Sequence, residues 1–75
     1  MRFELHWSFG VDRTWKRDFS VESEAMACEF ARRTLQNSPE MWHATRVYLW
    51  LMEPHEKFVA EYHVGKPEIF ETLAS

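Results

Sequence analysis

Phe3, Leu5, Trp7 and Phe9 alternate with Arg2, Glu4, His6 and Ser8 at the start of the chain. Strand side chains point to opposite faces in turn, so this pattern predicts a half-buried strand over residues 1–9. It ends at a turn over Gly10-Val11-Asp12-Arg13. A second strand follows, with Trp15, Phe19 and Val21 on an apolar side and Thr14, Lys16, Asp18 and Ser20 on the other. Arg17 interrupts the apolar side, as on an edge strand where the stem packs and the guanidinium reaches water.

The period then changes. Ala27, Phe30, Ala31, Thr34 and Leu35 recur at i, i+3, i+4, i+7 and i+8, one face of a helix directed at the sheet. Glu24, Cys28, Glu29, Arg32 and Gln36 fall mostly opposite. Ser20 or Ser23 supplies a cap, Glu22, Glu24 and Glu29 suit the N-terminal half, and Arg32 and Arg33 suit the C-terminal end of the dipole. Asn37-Ser38-Pro39 stops the helix.

A third strand is expected from about His43 to Met52, a turn at Glu53-Pro54-His55-Glu56, and a fourth strand with Phe58, Ala60, Tyr62 and Val64 on one face. After Gly65-Lys66-Pro67, Pro67 suits the first turn of a short helix carrying Ile69, Phe70 and Leu73. The expected fold is α+β with a β-β-α-β-β plan: a four-stranded, mainly antiparallel sheet, one helix on one face, and a short C-terminal helix or tail. Residues 1–65 form the single domain and 66–75 the tail or docking helix. A crossover that skips one strand gives the order 2-1-3-4, in which every neighbouring pair is antiparallel. Trp7, Phe9, Phe19, Phe30, Leu49 and Leu51 are expected in the core, where truncation costs several kcal/mol.

Residues 46–52, Arg46-Val47-Tyr48-Leu49-Trp50-Leu51-Met52, bear most directly on function. Val47, Leu49 and Leu51 point one way, and Tyr48, Trp50 and Met52 the other. Both faces of this strand are apolar, yet one helix covers only one. Something must meet the Tyr48, Trp50 and Met52 face, whose expected neighbours are Glu4 and His6 on strand 1 and Val59, Glu61 and His63 on strand 4. Three occupants are open: Ile69, Phe70 and Leu73 folding back, a protein partner anchored on aromatic side chains, or a second copy pairing face to face. The candidate partner-binding residues are Tyr48, Trp50, Met52, His6, His63 and Glu61.

Composition narrows the classes. Seventy-five residues make one small domain, and six Phe, four Trp and two Tyr compensate for its limited core. A lone Cys28 leaves no internal disulfide or multi-cysteine zinc site and suits a reducing compartment. The N-terminus has no continuous apolar run of the signal-peptide type, and no segment is long enough to span a membrane, so a cytoplasmic location is expected.

Charge is uneven. Residues 1–46 hold seven of the nine Lys and Arg and seven of the twelve Asp and Glu, which leaves two cations against five glutamates (53, 56, 61, 68, 71) in residues 47–75. The net charge of −3 is unlike the basic surface a nucleic-acid binder uses. Arg13, Trp15, Lys16 and Arg17 form one basic-aromatic cluster, but alternation splits it across the sheet, and a charged edge strand is its plainer reading. The five glutamates either steer a basic partner or keep the surface solvated.

Catalytic chemistry finds little footing. His6, His43, His55 and His63 lack ligand spacing, so no metal is expected. Cys28 sits mid-helix among acids without a cation to stabilise a thiolate, and reads as a half-buried, inert thiol. Gly10 and Gly65 are the only glycines, too few for a phosphate-cradling loop. No catalytic residue and no cofactor are expected.

The whole-chain plan resembles small phage-encoded accessory proteins, among them some anti-CRISPR proteins with a β-β-α-β-β fold. The resemblance lies in the opening strand Met1–Phe9, the single helix region Phe19–Ala31 and the hairpin around Tyr48–Tyr62; it covers about 65 residues at the level of architecture. It implies a non-enzymatic protein from a phage or mobile element that binds and modulates a host protein, and it transfers no functional residues. The alternatives are a homodimeric module with paired sheet faces and, behind it, a nucleic-acid-binding domain.

Overall fold

The computed structural model describes residues 1–8, 14–37, 46–64 and 68–74. Its elements are β1 (Arg2–Ser8), β2 (Thr14–Ser20), α1 (Glu24–Asn37), β3 (Arg46–Glu53), β4 (Lys57–Val64) and β5 (Ile69–Leu73). They build one antiparallel sheet in the order β2-β1-β3-β4-β5. The expected 2-1-3-4 order is present, with β1 and β3 inside. β2 and β3 run parallel on either side of β1, and the helix makes the crossover between them.

The fifth strand corrects the reading of the C-terminus. Ile69, Phe70 and Leu73 belong to a strand paired with β4, not to a helix or a tail folded over the open face. The residues 69–73 carry β-branched and aromatic side chains, and pairing with β4 satisfies backbone groups that a one-turn helix would leave to water. The ladder continues past β5, with Ala74 N–H donating to the Val59 carbonyl at 2.9 Å.

The core forms where alternation from three strands meets the helix. Phe3 and Leu5 of β1, Val47, Leu49 and Leu51 of β3, and Ala60 and Tyr62 of β4 are buried under Ala27, Ala31 and Leu35 of α1. Ser23 caps the helix, its Oγ accepting from the Met26 N–H at 3.2 Å. Phe19 stacks between Phe3 and Phe30, at centroid distances of 5.7 and 4.1 Å.

Two side chains depart from expectation for connected reasons. The helix lies over β3, β4 and β5, so its flank at Cys28 also meets the sheet and the residue is 7% exposed. That placement leaves β2 thinly covered: Trp15 shares the helix side with Trp7 but is 55% exposed. Arg17 lies over the Phe30 ring at 5.4 Å, which gives the interruption in β2 an aromatic partner.

A separate departure is a β-bulge in β4. Leu49 pairs with Ala60 and Trp50 with Phe58, so Val59 is an extra residue in β4. Alternation shifts there: Val59 and Ala60 are both buried, and Phe58 turns to the opposite face. The expected places of Phe58 in the core and Val59 on the open face are therefore reversed. The Gly10–Arg13 turn, Phe9, the stretch from Ser38 to Thr45 with His43, and the Gly65–Pro67 break lie outside the described residues.

Candidate functional site

The face away from the helix is built by alternation from every strand. β3 contributes Tyr48 and Trp50, β1 contributes Glu4 and His6, and β4 contributes Phe58, Glu61 and His63. Cross-strand register sets Tyr48 between His6 and Glu61, and Trp50 between Glu4 and Phe58. Among the described residues no second layer lies on this face, and β5 extends the sheet rather than covering it.

Aromatic contacts hold its centre. Phe58 meets Trp50 edge-on at 5.3 Å and Tyr48 at 6.2 Å, while the His6 ring lies 6.4 Å from Trp50. The bulge is what completes this cluster, because only the shifted alternation brings Phe58 to Trp50. Tyr48, Trp50 and Phe58 are each half-buried by this lateral packing, and Met52 is half-buried as well.

Charged groups flank the aromatics in pairs. Glu4 bonds to His6 Nε2 at 2.7 Å and to Arg2 Nη1 at 3.0 Å. These partners, His6 first, outweigh partial burial and hold the Glu4 carboxyl below the usual carboxylate range. Arg2 also reaches Glu53 at 3.5 Å and Asp18 at 3.8 Å. On the other flank Arg46 lies 3.3 Å from Glu61, and His63 is 4.0 Å from it. These two residues, with His63, Phe70 and Thr72, line a shallow groove of ≈ 280 Å³.

The glutamates of the second half thus do not form a uniformly acidic surface. Glu53, Glu61 and Glu71 each have an arginine partner, which leaves a face of mixed sign. The cluster around Trp15 is split as alternation requires, with Lys16 opposite His6 and Arg17 directed to the helix side. Among the described residues no group of three or more His, Cys, Asp or Glu is placed to hold a metal ion. Nor is any described helix long and apolar enough to cross a membrane.

Tyr48, Trp50, His6, Glu61 and His63 lie on this one face, while Met52 falls at a register shift, where Phe3 pairs with Leu51 and Arg2 with Glu53. Sequence reasoning missed Phe58. Its signal is the uninterrupted apolar run Phe58-Val59-Ala60 between Lys57 and Glu61, which fits either alternation and so marks where a bulge can sit. No protein-family model matches this chain, and no curated protein or solved structure matches it either.

Proposed function

We propose that this protein is a small, non-catalytic, cytoplasmic protein-binding module that uses the open sheet face. Tyr48, Trp50, Met52 and Phe58 are the anchors, and His6, Glu61 and His63 form the polar rim. One observation carries the reading: the aromatic side chains of Tyr48, Trp50 and Phe58 cluster at the centre of a sheet face that no described element covers. Aromatic centres ringed by polar groups are the usual anatomy of protein interfaces. The paired charges around the cluster favour a partner of mixed charge over a polyanion. In the reading that the β-β-α-β-β core suggests, the protein comes from a phage or mobile element and the partner is a host protein whose action it modulates.

The test uses the full chain as bait in nuclease-treated bacterial lysate, with Trp50→Ala and Tyr48→Glu in parallel. The expected result is one stoichiometric protein that both variants lose while their circular dichroism matches the parent. Retention of that protein by both folded variants would overturn the site.

A further inference from the structure

The two edges of this sheet are not alike. β2 carries Lys16, Arg17 and Asp18 in succession, the charged kind of edge that discourages pairing with another chain. β5 has the sequence Ile69-Phe70-Glu71-Thr72-Leu73, with no cation, proline or glycine. Its one charged side chain is turned back into its own subunit, where Glu71 accepts hydrogen bonds from Arg32 and Tyr62. Phe70 and Leu73 remain 56% and 60% exposed. Among the described residues no strand pairs with the outer side of β5.

The ladder shows which backbone groups face outward. Ala74 N–H bonds to the carbonyl of Val59, and the register places Thr72 opposite Glu61 and Phe70 opposite His63. Hydrogen-bonded pairs alternate in an antiparallel ladder, so Phe70 and Thr72 direct their N–H and C=O groups to β4. Ile69, Glu71 and Leu73 direct theirs away from it.

We infer that β5 pairs with β5 of a second copy, antiparallel and centred on Glu71. In that register Ile69 meets Leu73 of the other chain at both ends, and all three outward residues fall in hydrogen-bonded positions, giving about six N–H···O bonds. On the helix side the exposed Leu73 gains an apolar neighbour, and on the open side Phe70 lies against Thr72. The two Glu71 side chains oppose each other at the centre, but each arrives with its own Arg32 at 2.6 Å. The strand is thus complementary to itself in backbone and in side chain, as a two-fold interface requires.

The geometry has a consequence for binding. An antiparallel pair in one sheet has its two-fold axis normal to that sheet, so both open faces look the same way. Five strand spacings separate the two β3 strands, about 24 Å. A dimeric partner, or one with a repeated epitope, would then be held at two points. The pairing itself does not rest on the open face being a binding site.

Sedimentation of the full chain from about 5 to about 500 µM, with hydrogen exchange at both limits, tests it. The expected mass rises from 9.1 kDa toward twice that value. In step, the amides of Ile69, Glu71 and Leu73 slow in exchange, while those of Phe70 and Thr72 are protected throughout. Leu73→Lys or Phe70→Lys, each at an exposed position, should abolish the association, and Trp50→Ala should leave it intact. A fixed monomer mass would overturn the proposal. So would a dimer that leaves the three outward amides unprotected, or one lost in Trp50→Ala and kept in both lysine variants.

Discussion

The Tyr62 hydroxyl donates a 2.7 Å hydrogen bond to Oε2 of Glu71, the oxygen that also accepts from Arg32 Nη1 at 2.6 Å. Tyr62 is fully buried in β4, Glu71 lies on β5 and Arg32 on the helix. One carboxylate oxygen therefore ties the last strand to the body of the domain. The Cys28 carbonyl, 3.5 Å from the same hydroxyl, is only a weak second acceptor.

Removing the acceptor should cost more than removing the donor. Tyr62→Phe deletes the hydroxyl and leaves Glu71 with its arginine, an expected loss of about 1 kcal/mol. Glu71→Ala leaves the buried hydroxyl without its short acceptor and the arginine without its carboxylate, an expected loss of about 2–3 kcal/mol. The double variant should cost little more than Glu71→Ala alone, because the two act on one contact. Urea midpoints measure all three, and simple additivity would refute the coupling.

The same contact predicts alkaline sensitivity. Burial first, and then hydrogen bonding to Glu71, pushes the Tyr62 phenol well above its ordinary value. The folded protein holds this proton more tightly than the unfolded chain, whose tyrosines titrate near pH ~10. Its contribution to stability is complete below about pH 10 and is lost as pH rises from there toward the folded value. Stability measured from about pH 9 to about pH 11 should fall more steeply in the parent than in Tyr62→Phe. Parallel profiles would show that the phenol is not the group responsible.

The bulge in β4 reverses the order of two neighbouring substitutions. Val59 is buried, so Val59→Lys should destabilise by about 2–4 kcal/mol through a desolvated charge and lost packing. Phe58 is half-buried on the open face, where a lysine stem can lie along Trp50 and its head reach water. Phe58→Lys should cost about 1 kcal/mol. Unbroken alternation through β4 requires the opposite ranking, and thermal melts of the two variants decide it.

Much of this protein is legible in its residues alone. Period-two alternation in residues 1–9, 14–20 and 46–52 places Phe3 and Leu5 under the helix and Tyr48 and Trp50 away from it, because a pleated strand leaves no other choice. The 3.6-residue period identifies the helix. The order of the first four strands follows only if the crossover skips one strand, as the sheet shows it does. The open aromatic face follows from β3 being apolar on both sides.

Tertiary structure decided the rest. Residues 69–73 are too few to nucleate a helix or to form a strand alone, and the exposed backbone of β4 selected the strand. Phe58-Val59-Ala60 is apolar throughout and fits either alternation, so pairing with Leu49 and Trp50 settled which two are buried. Cys28 and Trp15 exchanged their expected environments because α1 lies toward β5 and away from β2. A short apolar segment specifies that it will be buried; the surfaces that form around it determine against what.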